Sequence, residues 1–159
     1  MSADIRINAE RLWGSLMDMA KIGATPKGGV KRLTLTDLDR QGRDRFVGWC
    51  KEAGLAVSVD GVGNLFARRA GRNNALPPVV SGSHLDTQPS GGRFDGCYGV
   101  MAALEVARTL NDHGIETDTP FEVAMWTNEE GSRFLPVMGA SGAFAGVHTV
   151  EEILVGRDS

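Results

Sequence analysis

The chain has 159 residues, a length that fits one domain with a sizeable buried core. An apolar fraction of 42% and a charged fraction of 23% are ordinary globular values, which argues against a disordered chain. A net charge of −3, without a dense run of Lys or Arg, argues against nucleic acid or an anionic membrane as the main partner. No apolar run approaches the ~20 residues of a membrane span. Cys50 and Cys97 lie far apart and suit a reducing compartment, so we expect a soluble cytoplasmic protein.

The first third of the chain predicts two helices. Apolar residues at steps of three and four predict a helix over residues 3–22, which Gly23 ends. Its expected buried face consists of Ile5, Ala9, Leu12, Leu16, Met19 and Ala20. Residues 24–35 predict a loop, in which we expect Lys31 and Arg32 to be solvated.

The second helix is expected to begin at Thr36, with Asp39 as the acidic partner of a capping box, and to end at Gly54. Its expected buried face consists of Phe46, Trp49, Cys50 and Ala53.

The rest of the chain alternates between strands and helices. Residues 55–60 and 64–68 predict a strand pair joined by a tight turn, and residues 69–76 a polar loop. Short apolar runs at 77–82 and 121–127 predict buried strands. Residues 96–113 predict a helix with one small-residue face, ended by Gly114, and residues 139–147 and 149–155 predict short helices. The small-residue face is expected to contain Gly99, Ala102, Ala103, Val106, Ala107 and Leu110.

The order strand, loop, helix, strand between Val79 and Thr127 predicts a βαβ crossover, whose two strands run parallel. The expected fold class is α/β: a mixed sheet with this crossover, flanked by helices. His84 then follows the first strand, Asp95 precedes the helix, and Glu129 and Glu130 follow the second strand. Ligands of open α/β sheets collect at these carboxyl ends.

These side chains are the types that a two-metal hydrolase needs. Imidazole and carboxylate together suit Zn²⁺, Mn²⁺, Co²⁺ or Ni²⁺, and adjacent glutamates can supply a metal ligand and a general base. Asp86, two residues after His84, can orient a metal-bound imidazole. Taken singly, each residue also has an ordinary interpretation: a structural histidine at His84, a helix N-cap at Asp95, and a solvated pair at Glu129 and Glu130.

Three other reactive residues are interpreted as structural. Cys97 could act as a thiol nucleophile with His84 as its base, but a small buried residue on an apolar helix is the favoured interpretation. His113 ends a predicted helix and His148 lies near the start of another, so we expect neither in the site.

The motifs GSHLDTQPSGGRFDG and WTNEEGSRF, with GNLFARR and GASGAFAG more weakly, resemble the M20-type amidohydrolases of the hydantoinase/carbamoylase group. The resemblance runs from Arg11 to about Gly146. This group includes N-carbamoyl-L-amino-acid hydrolases, β-ureidopropionases and allantoate amidohydrolases. It implies metal-dependent hydrolysis of linear amide or carbamoyl C–N bonds, giving the amino acid, ammonia and carbon dioxide from an N-carbamoyl or ureido acid.

The resemblance also implies roles for individual residues. His84 would bind one of two divalent ions, Glu130 would bind the other, and Asp95 would bridge them. Asp86 would orient His84, and Glu129 would be the general base.

The resemblance also implies parts that these residues do not supply. In the group, each metal receives a further histidine, and a lid domain contacts the substrate and forms a homodimer. We therefore expect residues 1–159 to be the N-terminal segment of the metal-binding catalytic domain, without a second domain, inactive alone and with apolar surface exposed. An M20-type metallopeptidase or deacylase, and a non-catalytic remnant or binding module, remain alternatives.

Overall fold

The structure is a computed structural model that describes residues 5–158. Among these residues, four strands form one mixed sheet in the order β1-β2-β4-β3. The strands are β1 (Ala56–Val59), β2 (Leu65–Arg69), β3 (Val79–His84) and β4 (Phe121–Trp126). The helices are α1 (Ala9–Met19), α2 (Asp37–Glu52), α3 (Cys97–Asp112), α4 (Gly139–Phe144) and α5 (Val150–Leu154). This architecture confirms the predicted α/β class. No helix within residues 5–158 combines the length and the apolar character that crossing a membrane requires.

Helix α1 is shorter than predicted. Residues 3 and 4 of the predicted helix lie outside the described part of the chain, and Ile5 is exposed rather than buried. The helix begins at Ala9 because the side chain of Asn8 accepts a hydrogen bond from the backbone N–H of Arg11 at 3.0 Å. Such a cap satisfies an N–H that the helix itself leaves unpaired. Leu12, Leu16, Met19 and Ala20 of the predicted face are buried.

Helix α2 begins after Thr36 as predicted, but the capping box is only half formed. Thr36 Oγ1 accepts from the backbone N–H of Asp39 at 3.3 Å. The Asp39 carboxylate accepts instead from the backbone N–H of Leu35, at 2.9 Å, and from Arg43 Nε, at 3.0 Å. The bond from the Thr36 backbone N–H to the Asp39 side chain, which would complete the box, is not formed. Asp39 is 1% exposed and forms an ion pair with Arg43 instead.

The sheet contains the predicted crossover. Strand β1 pairs antiparallel with β2, and β2 pairs antiparallel with β4. Strand β3 pairs parallel with β4, in a register that runs from Val79 opposite Phe121 to His84 opposite Trp126. Helix α3 joins these two strands, so both end at the same edge of the sheet.

The prediction that β3 is buried is wrong. It is the outer strand of the described sheet, and Val79 and Val80 are 60% and 43% exposed. The apolar run identified a strand but carried no information on whether a neighbour covers it. Further exposed apolar side chains lie in the segment after β4, at Leu135, Val147 and Val155. The expected exposure of apolar surface is therefore present in the described structure.

The core lies between the sheet and helices α1, α2 and α3. Ala103 and Ala107 of the predicted face of α3 are buried, whereas Val106 is 40% exposed. The face includes Glu105 instead, 1% exposed, whose carboxylate pairs with the Arg11 guanidinium at 2.7–2.8 Å. A buried carboxylate is tolerated because this bidentate partner compensates its charge.

Arg32 is fully buried, contrary to the prediction that it is solvated. Its guanidinium donates hydrogen bonds to backbone carbonyls at the end of α1 and after β3, and to a thiol sulfur at the start of α3. The acceptors are Met19 O, Ile22 O, Leu85 O and Cys97 Sγ. One side chain therefore fixes three segments of the chain against each other.

The pairing of β3 with β4 depends on Gly82. A Cβ at this position would collide with the backbone of Ala124 on β4. We expect Gly82→Ala to lower the free energy of unfolding by roughly 1–3 kcal/mol, the usual range for overpacking, measured by chemical denaturation. Gly14→Ala is the control: no atom lies within 4 Å of its added Cβ, and alanine favours the helix by about 1 kcal/mol. Equal stability of the two variants would contradict the prediction.

Candidate functional site

His84 is the last residue of β3 and is 5% exposed. Its Nδ1 lies 2.8 Å from the backbone carbonyl oxygen of Asp86. Because a carbonyl oxygen can only accept, Nδ1 carries the proton in this contact. Nε2 is then the ring nitrogen left available to another neighbour.

The Nε2 atom of His84 faces Glu129. The distance to Glu129 Oε2 is 3.4 Å, and the Glu129 side chain is 29% exposed. A lone pair on Nε2 and a carboxylate oxygen repel each other at this distance unless a proton or a cation lies between them. The arrangement therefore suits a group that carries positive charge.

Asp86 connects the two strand ends, although its contact with His84 differs from the prediction. The predicted orienting contact is made by the Asp86 carbonyl, while the nearest carboxylate oxygen lies 3.7 Å from Nδ1. The carboxylate instead accepts from the backbone N–H groups of Glu129 and Glu130, at 3.3 and 3.2 Å. Burial raises the pKa of Asp86, and the nearby imidazole and the two amide donors oppose that shift.

Asp95 is exposed, on the loop between β3 and α3. It does not act as a helix N-cap, since the N-cap of α3 is Gly96 and no side chain caps that end. Gly96 has a φ of +64°, and a Cβ built on it would lie 2.5 Å from the His84 ring. The turn that carries Asp95 is therefore packed directly against the imidazole.

Glu130 points to a different neighbour from Glu129. Its Oε2 accepts a hydrogen bond from Gln88 Nε2 at 2.9 Å. Sequence reasoning missed Gln88, even though it lies inside the motif that carries the resemblance. An uncharged side chain on a loop gave no chemical reason to single it out.

Some of the predicted residues come together more closely than others. Within residues 5–158, the carboxylates within 4.0 Å of the His84 nitrogens belong to Asp86 and Glu129. Asp95 and Glu130 lie farther from the ring, on the same strand-end loops. The topology predicted the convergence of these loops, but not which acid faces the imidazole.

These donors fit part of a metal centre. Imidazole nitrogen and carboxylate oxygen suit the divalent ions expected from the sequence, and His84 Nε2 lies 3.4 Å from Glu129 Oε2. In the described part of the chain, however, no three His, Cys, Asp or Glu side chains form a group that could hold a metal ion. Catalytic zinc sites usually have three protein ligands, so the donors present here are incomplete.

The other reactive residues lie where the structural interpretation puts them. Cys97 is 1% exposed, and burial raises the pKa of its thiol, which disfavours the nucleophilic thiolate. His113 is the C-cap residue of α3, and His148 directly precedes the N-cap of α5.

The contact between Gly96 and His84 can be tested independently of any activity. In Gly96→Ala, the added Cβ is expected to displace the imidazole, because it would lie 2.5–2.6 Å from three ring atoms at a positive φ. The His84 ring resonances in a ¹H–¹⁵N NMR spectrum should shift. Gly92→Ala, in the same loop and with open space around its Cβ, should leave them unchanged. Identical spectra for both variants would show that the turn does not support the ring.

Comparison with known proteins identifies the family. The sequence profile of Peptidase family M20/M25/M40 matches residues 80–157. The N-carbamoyl-L-amino-acid amidohydrolase of Rhizobium meliloti is 56% identical over 153 residues, which cover 96% of this chain and 37% of that protein. The corresponding enzyme of Geobacillus stearothermophilus is 46% identical, over 88% of this chain and 34% of that protein.

A solved structure supports the same family assignment. The crystal structure of a hydantoinase/carbamoylase family amidase from Burkholderia multivorans superposes with a TM-score of 0.96 at 66% identity, over 97% of this chain and 38% of that chain. The present chain thus spans little more than a third of the length of these relatives. It belongs to the M20 peptidase family, in the hydantoinase/carbamoylase group, and matches the N-terminal part of those enzymes.

Proposed function

We propose that the protein containing this chain hydrolyses the carbamoyl C–N bond of an N-carbamoyl-L-amino acid or a related ureido acid. The observation that carries the proposal is the contact of His84 Nε2 with Glu129 Oε2, 3.4 Å apart at the ends of two parallel strands. The relatives named N-carbamoyl-L-amino-acid amidohydrolase support the substrate class.

We further propose that His84, Asp95 and Glu130 contribute ligands for two divalent metal ions, with Zn²⁺, Mn²⁺, Co²⁺ and Ni²⁺ as the candidates. Bound there, such ions would polarise the carbamoyl carbonyl and lower the pKa of water. The described residues lack a group of three donors, and the chain spans 37% of the Rhizobium meliloti relative, so we expect further ligands from parts of the protein beyond this match and no activity from residues 1–159 alone. By analogy with the group, the complete protein is a cytoplasmic homodimer.

The remaining residues of the site transfer a proton or hold other residues in position. Glu129 accepts a proton from the attacking water and returns it to the nitrogen that leaves the carbamoyl carbon. The Asp86 carbonyl holds the Nδ1–H of His84, and its carboxylate holds the backbone of both glutamates. Water breaks one carbamoyl C–N bond and leaves a carbamic acid, whose remaining C–N bond then breaks to release carbon dioxide. One substrate and one water thus yield the amino acid, ammonia and carbon dioxide, and the atoms balance.

Glu129→Gln in the complete protein tests the role of the base. We expect kcat to fall by about 10²–10⁴-fold, because the amide cannot accept the proton, while metal content stays unchanged. Steady-state kinetics and metal analysis measure the two effects. Glu151→Gln, an exposed glutamate on α5, is the control and should keep full activity. Full activity of Glu129→Gln would exclude Glu129 as the base.

A metallopeptidase or deacylase is the second candidate, because the matched profile is that of a peptidase family. Assays of the complete protein with N-carbamoyl-L-amino acids, N-acyl amino acids and dipeptides separate the two. We expect release of ammonia from the carbamoyl compounds alone, lost after treatment with a chelator and restored by Mn²⁺. Preferential cleavage of dipeptides or N-acyl amino acids would identify the alternative, and inactivity on all three would favour a non-catalytic module.

A further inference from the structure

Gln88 contacts the glutamate that does not face His84. Its side-chain amide donates from Nε2 to Oε2 of Glu130, at 2.9 Å. We propose that Gln88 is a positioning residue for Glu130, which holds this carboxylate in the orientation that the site uses. The inference rests on the proposed function, in which Glu130 is a metal ligand.

The backbone that carries Gln88 is held rigidly. The preceding residue, Thr87, is 2% exposed, and its N–H donates to Arg32 O at 2.9 Å. In return, the N–H of Arg32 donates to Thr87 Oγ1 at 2.8 Å, and that hydroxyl donates to Gln88 O at 2.9 Å. Because Arg32 is fully buried, the loop is anchored to the core one residue before Gln88.

The other end of the contact is held as well. The backbone N–H of Glu130 donates to Asp86 Oδ2 at 3.2 Å. The carbonyl of Glu129 accepts from the N–H of Met138 at 2.8 Å, which ties the same segment to the start of α4. Two fixed backbones therefore set the distance between the Gln88 amide and the Glu130 carboxylate.

The chemistry of the contact suits a residue that positions a ligand. An amide is a neutral donor, so it fixes a carboxylate without cancelling the negative charge that a cation requires. The bond engages Oε2 and leaves Oε1 available. Partners of this kind typically affect metal affinity by about 10–100-fold when they are removed.

The test is a calorimetric titration of the complete metal-free protein with Mn²⁺. Gln88→Ala removes the side chain, and Gln88→Met keeps its length without a donor. In both variants we expect one of the two ions to bind about 10-fold more weakly, because the Glu130 carboxylate loses its orientation. Gln41→Ala, the exposed glutamine of α2, is the matched control and should bind like the unmodified protein. Since Gln88 is exposed, the melting temperature of the metal-free protein should not change in any variant.

Combining the Gln88 change with a Glu130 variant shows whether Gln88 acts through Glu130. In Glu130→Gln, the further change Gln88→Ala should have no additional effect on Mn²⁺ binding. Unchanged affinities in both Gln88 variants, or the same additional loss in the Glu130→Gln background, would overturn the inference. Failure of the unmodified protein to bind Mn²⁺ would instead overturn the proposed function on which it rests.

Discussion

The parallel pairing of β3 with β4 is the constraint on which the site depends. The register places His84 opposite Trp126, so both strands end at the same level. The loops that follow then leave the sheet side by side, and the Asp86 carboxylate bonds to the amides of the neighbouring loop. Residues more than forty positions apart therefore meet through the strand register and through the bonds from the Glu129 and Glu130 amides to the Asp86 carboxylate.

The buried, positively charged side chain of Arg32 supports this edge of the sheet. Arg32 has no exposed surface, and removing a charge from water is unfavourable unless polar groups replace the solvent. Carbonyls at the end of α1 supply part of that replacement, since the C-terminal end of a helix carries partial negative charge. The same guanidinium contacts Leu85 O and Cys97 Sγ, at the two ends of the loop that joins β3 to α3. Because Arg32 bonds both to the end of α1 and to the residues that flank the β3–α3 loop, the packing of α1 constrains the position of His84 and Asp95.

The sequence predicted what depends on periodicity and chain order. The crossover, the antiparallel pair and the placement of His84, Asp95 and the two glutamates at one sheet edge follow from these patterns. It failed where the outcome depends on distant neighbours. An apolar run does not reveal that β3 lies at the edge of the described sheet, and a basic residue in a loop does not reveal that it is buried among carbonyls. Competition between neighbouring hydrogen-bond donors was not predicted either: the Asp39 carboxylate bonds to Leu35 and Arg43 rather than completing a capping box.

The backbone conformation before Glu129 and Glu130 gives these two adjacent glutamates different neighbours. Asn128, just before them, has a φ of +55°, and this left-handed conformation turns the chain sharply after β4. Glu129 consequently faces the imidazole and Glu130 faces an amide donor. The Glu129 carboxylate lies beside a ring nitrogen, with which it can share a proton or a cation, whereas the Glu130 carboxylate is held in one orientation by an amide donor. The different surroundings of two identical side chains support a base at one position and a ligand at the next.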